Sequence, residues 1–292
     1  MKLVVIIPTV GRKALAARLL AHLDDQERLP DEVVVSVPDP SHFDDATPHR
    51  YPVTTVYGPK GLTAQRNTAL ERVLDRFDAV LFLDDDYLPA KDYLRRLVEA
   101  FDANPDWVVV RGSIPVDGAR TGGLTFEQGL VELERVARHR PSPPCVIDQV
   151  GAPGGNMAFR TSAVGDLRFD ERLVLYGWQE DIDFSSQLSR HGRIVEWTEL
   201  VGVHLGVRSG RASGVPFGFS QLINPVYLVR KGTMPAGFAA RLMARNVAAN
   251  VLKSLSPEPH VDRRGRLLGN LIAARHLLSG RCEPEHILTM QR

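Results

Sequence analysis

Short apolar runs alternate with segments of helical periodicity along the first 110 residues. Leu3 to Ile7 is one such run, closed by Pro8, and it fits a buried parallel strand. Leu15, Leu19, Leu20 and Leu23 then recur at helical spacing. Glu32 to Val37 and Val53 to Tyr57 predict two more strands, separated by a loop rich in Pro, Asp and His. Thr63 reads as the N-cap of a helix carrying Ala64, Asn67, Leu70, Val73 and Leu74. Ala79 to Leu83 predicts a strand running into three aspartates, followed by a helix over 90–103 and a strand over 107–111. The pattern predicts an α/β fold, a mostly parallel sheet flanked by helices, with ligands at the carboxyl ends of its strands.

Beyond Gly112 the alternation weakens. A helix is expected over 126–138, then a Pro-rich loop, and Gly151, Gly154 and Gly155 lead into a strand over 156–160. A further helix starts near Glu180 and ends at Gly192, and a strand over 194–197 leads towards His204. From Phe217 the periodicity is helical, with Leu242, Val247, Leu252, Leu267, Leu268, Leu271 and Leu278.

The chain has 292 residues, 43% of them hydrophobic and 24% charged, which suits one large domain with a smaller appendage. Its near-zero net charge hides an asymmetry. Residues 1–205 hold 23 basic and 31 acidic side chains, and residues 206–292 hold 13 and 4. An anionic partner is expected for the basic part: a membrane surface, a nucleic acid, or a phosphorylated ligand. Nucleic acid is disfavoured, because its arginines and aromatics form no known recognition module. Cys145 and Cys282 show no metal-ligand spacing, and the opening MKLVVIIPTVGRK reads as a first strand rather than a signal peptide. No run approaches the length of a membrane span. A cytoplasmic location is expected, with peripheral contact at the inner membrane face through the basic helices. The chain has no GxGxxG after its first strand, no P-loop and no GxSxG elbow, which disfavours dinucleotide redox chemistry, P-loop hydrolysis and acyl-enzyme chemistry.

The strongest chemical signal is Asp84-Asp85-Asp86 at the end of an apolar strand. Three such charges repel one another unless a cation or a donor-rich ligand neutralises them. Extended geometry places Asp84 and Asp86 on one side, where hard oxygens with open positions suit Mg2+ or Mn2+. A solvated acidic turn capping the next helix is the alternative. Gly177-Trp178-Gln179-Glu180-Asp181 either caps a helix or supplies a general base. His204, a single polar ring among small and apolar residues, is either a third metal ligand or a structural histidine.

These pieces occur in an order that resembles family 2 of the inverting glycosyltransferases, with their nucleotide-binding GT-A fold. The resemblance covers residues 1–206 and implies a catalytic domain there, its donor half over 1–112 and its acceptor-side half over 113–206. A flexible loop at 207–216, in which Arg208 or Arg211 could meet the diphosphate, and a basic helical extension at 217–292 would follow. By resemblance Pro8, Thr9, Arg12 and Arg66 hold the donor, and the base-contacting aspartate of the second strand falls on Asp39. Asp86 would bind the cation with His204, while Asp84 and Asp85 contact ribose, sugar or metal-bound water. Gly155, Asn156 and Trp178 would lie on the sugar and acceptor side. Glu180-Asp181 resembles the family's acidic pair, with Asp181 as general base.

The implied function is metal-dependent, inverting transfer of a sugar from a nucleotide diphosphate donor to an acceptor hydroxyl. UDP is the favoured carrier, with GDP or dTDP as alternatives, and the acceptor is a glycan, a glycolipid or a small molecule. A nucleotide-sugar hydrolase or nucleotidyltransferase using the same metal is the competing reading.

Overall fold

The structure, a computed structural model, describes residues 1–44, 47–207, 214–256, 258 and 261–290. The loop expected at 207–216 lies largely outside the described residues, and so do Arg208 and Arg211. The elements in chain order are β1 (Leu3–Pro8), α1 (Lys13–Leu23), β2 (Glu32–Val37), β3 (Val53–Tyr57), α2 (Leu62–Val73), β4 (Ala79–Leu83), β5 (Tyr87–Pro89), α3 (Tyr93–Ala103) and β6 (Trp107–Asp117). There follow α4 (Gly118–Thr121), α5 (Phe126–Arg138), β7 (Val146–Asp148), β8 (Asn156–Arg160), α6 (Glu180–Leu188), β9 (Arg193–His204), α7 (Gly214–Lys231), α8 (Ala236–Leu255) and α9 (Arg263–Leu278).

The chain forms two compact units. The first comprises Met1–Lys60, Ala64–Arg168 and the segment from Phe184 through β9; the second comprises Gly61–Thr63, Phe169–Asp183 and the C-terminal helices.

In the first unit the strands form one sheet in the order β3-β2-β1-β4-β8-β6-β9-β5, with β7 paired to β9. Every residue of β1, β2 and β4 is buried, as expected for parallel strands covered on both faces. Helix α1 buries Ala16, Leu19, Leu20 and Leu23, one stripe at helical spacing. The pairings β1–β2, β2–β3 and β1–β4 are parallel, in line with the parallel sheet expected from the first 110 residues.

The other half mixes directions. β8 is antiparallel to both β4 and β6, and β6 is parallel to β9. These antiparallel partners lie far apart in the chain and are not joined as regular βαβ units, so the βα alternation fades in the sequence where the sheet changes character. Because β1 feeds β2 on one side and pairs with β4 on the other, the order reverses between β1 and β4. Ligands of open α/β sheets bind at such a point, here beside Thr9 and Asp84–Asp86.

Three local expectations are corrected. Residues 87–89 form a strand, not the lead-in to a helix, and α3 begins at Tyr93. Pro89 ends that strand, and its missing N–H is tolerated on the edge. Thr63 lies inside α2 rather than capping it, because the helix begins at Leu62, after Gly61 at φ +143°. The strand expected over 194–197 runs on to His204. A signal that was legible but unread is Thr125-x-x-Gln128, a reciprocal capping box that fixes the start of α5.

The second unit is held by two polar networks. Asn250 Nδ2 on α8 donates to Gln221 Oε1 on α7 and to Asn270 Oδ1 on α9, both at 2.8 Å, and all three side chains are buried. Gly218 and Gly269 let α7 and α9 approach closely; a Cβ on either would meet partner backbone at 2.0–2.1 Å. Around Lys231, Nζ lies 2.7 Å from Asp183 Oδ2 and 2.8 Å from Asp170 Oδ2, Tyr227 donates to Asp170, and Thr233 donates to Asp183. Lys231 is thus not a free basic group of an amphipathic surface, and α7 packs Phe219, Ile223 and Leu228 inward.

Asp183 is fully buried, so Lys231→Met should destabilise the protein by about 3 kcal/mol, the low end expected for removing one member of a buried ion pair, because Asp183 keeps its hydrogen bond from Thr233. Burial would push the Asp170 carboxyl up, yet Lys231 and Tyr227 hold it below its ordinary value, while Asp170 and Asp183 raise Lys231 against its own burial. The Asp170 contribution is therefore present above its unfolded value near ~3.9 and lost as pH falls through the lower folded one. That of Lys231 is present below ~10.4 and lost as pH rises through the higher folded one. Denaturant titrations across pH should show both flanks in the native chain and flatter ones in Lys231→Met.

Candidate active site

Asp84–Asp86 form the turn between β4 and β5. The turn is closed by Tyr87 N–H donating to Asp84 O, and Asp84 N–H is held by Gly155 O at 3.1 Å. The turn, not extended alternation, therefore brings Asp84 and Asp86 to one side. Asp85 and Asp86 are only 4% and 3% exposed, which sets aside the solvated-turn reading. Buried carboxylates require partners.

Asp85 turns towards β1. Thr9 Oγ1 donates to it at 2.5 Å and Arg12 Nη1 lies 2.8 Å from its other oxygen. Burial nonetheless pushes Asp85 up to about 6, against the opposing pull of Arg12 and Thr9. Thr9 is itself fixed, its N–H donating to Ser36 O and its carbonyl accepting from Gln65 Nε2 at 3.0 Å. Arg12 also lies 3.7 Å from Asp86 and donates to Val207 O at 3.0 Å, so it ties the turn to the chain just beyond β9.

Asp86 faces His204. Strand β9 runs between β5 and β6, and its register sets His204 opposite Tyr87 on one side and Asp117 on the other. His204 Nε2 is 3.3 Å from Asp86 Oδ1 and Nδ1 is 2.7 Å from Asp117 Oδ1. Asp86 also accepts from Val207 N–H at 2.8 Å. Burial would push Asp86 up, but His204, Arg12 and Val207 hold it below its ordinary value. Burial likewise opposes the charge on His204, yet Asp117 and Asp86 raise it to about 10. An imidazolium between two carboxylates supplies positive charge here, and a cation bound to Nε2 would replace that proton, because only the neutral ring can be a ligand.

The ligand atoms of Asp84, Asp86 and His204 all lie within 4.8 Å of one another, the group of metal-ligand type found among the described residues. Two hard oxygens and one imidazole, with Asp117 orienting the ring through its far nitrogen, fit a divalent cation. Asp117 was not singled out in the sequence. It also N-caps α4 by accepting from Ala119 N–H, and only the β6–β9 register brings it to His204.

Arg66, on α2 and 1% exposed, places its guanidinium 3.9 Å from Asp84 and 5.1 Å from the centre of the Phe82 ring. Gly154 and Gly155 pass close by. A Cβ on Gly154 would meet Arg66 Nη2 at 2.2 Å, and one on Gly155 would meet Asp84 Oδ2 at 2.7 Å. Asn156 is fully buried, its Nδ2 donating to Tyr87 OH and Gly112 O, and it braces the strands beneath the turn. Pro8 is buried at the end of β1, while Asp39 sits in an exposed turn, accepting from the N–H and hydroxyl of Ser41.

Glu180 and Asp181 open α6 in the second unit. Glu180 is buried and Asp181 half-buried. The approach is strained: Leu175, Gly177 and Gln179 all have positive φ, at 62°, 61° and 74°. Two of the three carry side chains that disfavour this region, and such strain clusters at functional segments. Glu180 N–H donating to Gly177 O and Asn224 Nδ2 donating to Trp178 O fix the turn.

Asp117→Asn should weaken Mn2+ binding about 10- to 100-fold in calorimetric titration, as loss of an orienting carboxylate does elsewhere, while leaving the fold intact by circular dichroism. Gly155→Ala should weaken it as well, by displacing the Asp84 carboxylate.

Residues 4–168 match the model of a family described as Glycosyl transferase family 2. Comparison with curated proteins gives no match. Among solved structures, S. aureus TarS 1-349 in complex with UDP-GlcNAc is similar over 96% of this chain and 93% of that one, at 16% identity and a TM-score of 0.52. Mannosyltransferase PcManGT from Pyrobaculum calidifontis, in complex with GDP-Man and Mn2+, is similar over 95% and 87%, at 18% identity and a TM-score of 0.54. Against a longer S. aureus TarS chain the match spans 39% of its length, with a TM-score of 0.47. At these identities the likeness is one of fold.

Proposed function

Because the chain belongs to glycosyl transferase family 2, we propose that it moves a sugar from a nucleoside diphosphate donor to an acceptor hydroxyl, with a divalent cation held by Asp84, Asp86 and His204. The observation that carries this reading is the grouping of those three side chains, two carboxylates and an imidazole, at the carboxyl ends of β4 and β9. The TarS structure with UDP-GlcNAc and the PcManGT structure with GDP-Man and Mn2+ support nucleotide sugars as the donor class.

A bound Mg2+ or Mn2+ would stabilise the negative charge that develops on the departing diphosphate. The chain's own residues do the rest. Pro8, Thr9 and Arg12 at the end of β1 offer backbone and charge to the nucleotide, with Asp39 assigned to the base. Arg66 brings a positive charge beside Asp84, and Asp85 is assigned to ribose, sugar or metal-bound water. Gly155, Asn156 and Trp178 belong to the sugar and acceptor side. Asp181 takes the proton from the acceptor hydroxyl, and Glu180 beside it completes the acidic pair. The hydroxyl oxygen forms a bond to the anomeric carbon as the bond from that carbon to the diphosphate oxygen breaks on the opposite face. One displacement inverts the configuration and needs no covalent sugar-enzyme intermediate. UDP is the favoured carrier, and a polysaccharide, a lipid-linked sugar or a small molecule is the acceptor class.

Calorimetric titration with UDP and GDP, with and without Mn2+, should show metal-dependent binding of one nucleotide that is lost in Asp86→Ala. Binding that ignores both the metal and Asp86 would remove the proposed metal role. Asp181→Asn should retain donor binding while transfer slows about 10²- to 10⁴-fold, the usual worth of a general base. Undiminished transfer would exclude Asp181 from that role.

A further inference from the structure

Helices α8 and α9 together contain no aspartate or glutamate, yet carry Arg241, Arg245, Lys253, Arg263, Arg264, Arg266 and Arg275. Their inner faces are spoken for: Ala239 and Asn250 on α8, and Gly269, Asn270 and Ala273 on α9, are buried. The outer faces are unlike those of an ordinary surface helix.

On α9 the exposed positions are Arg264, Leu268, Leu271, Arg275 and Leu278, successive members of one helical stripe made of three leucines and two arginines. On α8 the exposed side is small or apolar, with Ala240, Ala244, Ala248, Val251, Leu252 and Leu255, interrupted by Arg241, Arg245 and Lys253. Leu255 is 83% exposed and Leu278 88%. The stripes adjoin where α8 ends and α9 begins, since Arg264 Nε donates to Ser254 O and Arg263 and Lys253 share Glu258. Among the described residues, Arg241, Arg245 and Arg275 have no ion-pair partner.

Exposed leucines in such number mark an interaction surface. Their spacing between unpaired guanidiniums, with no acidic group on either helix, selects an occupant that is apolar in depth and negative at its boundary. We propose that the outer face of α8 and α9 lies on an anionic phospholipid surface, with the leucines entering the headgroup boundary and the arginines meeting lipid phosphates. Among the described residues no helix is long and apolar enough to cross a membrane, so the contact is peripheral. A nucleic acid would leave the leucines unused. A second copy of this chain would bring arginine stripe against arginine stripe.

The test is flotation of the full chain with vesicles of phosphatidylcholine alone and of phosphatidylcholine with 30% phosphatidylglycerol (~30 mol%, enough to set up the surface potential). Binding is expected to the second vesicle and not the first. Leu268→Asp combined with Leu271→Asp should abolish it, and Arg241→Ser combined with Arg245→Ser should weaken it about five-fold per arginine. Both pairs are exposed, and retained thermal melting and nucleotide binding would show that the variants are folded. Several results would overturn the proposal: no binding to the anionic vesicle, equal binding to both vesicles, or undiminished binding by the leucine variant. So would a native dimer in light scattering that the leucine variant turns into a monomer, since the face would then belong to a second copy. None of these readouts depends on sugar transfer.

Discussion

Three consecutive carboxylates at the end of a buried strand are the constraint around which the first unit is organised. Asp85 and Asp86 are out of reach of bulk water, and like charges at such separation are strongly unfavourable without compensation. The chain meets each one differently. Asp85 takes a hydroxyl and a guanidinium from the end of β1; Asp86 takes the His204 ring and the Val207 N–H beyond β9; Asp84 lies beside Arg66 from α2. Each partner arrives from a different stretch of chain, so the order of strands is what makes the turn tolerable.

The same crowding explains the glycines. Gly154 and Gly155 run so close to Arg66 and Asp84 that any side chain would displace the groups compensating the turn. Beneath them, Asn156 bonds to Tyr87 and to the Gly112 carbonyl, and the buried phenol of Tyr87 is pushed up to about 12, mainly by burial, so that it stays neutral. Charge is concentrated at the strand ends, and the layer below is neutral and packed.

The second unit handles buried polarity in two other ways. Asp170, Asp183 and Lys231 compensate one another as ions, while Gln221, Asn250 and Asn270 do so as neutral amides at the meeting of three helices. With these demands met inside, the arginines of α8 and α9 remain on the surface, interleaved with leucines that the core does not use.

Much of the parallel half was legible because its signals are local. β-branched runs fully buried in β1, β2 and β4, and the leucine stripe of α1, depend only on the period of the chain. The acidic turn, the acidic pair at the start of α6 and the isolated His204 could be singled out by composition and context. What sequence order does not encode is register. The pairing of Tyr87 and Asp117 with His204, across more than eighty residues of intervening chain, made Asp117 the ring's partner and hid it from any local reading. Likewise β5 has no signature of its own, because three residues hold too little pattern to announce a strand whose existence depends on the far end of β9. Sequence determined which residues must be buried and which chemistry they carry, since hydrophobicity and charge are properties of side chains. Tertiary structure alone decided which charges face one another, since Coulombic and hydrogen-bonded partners are set by distance in space.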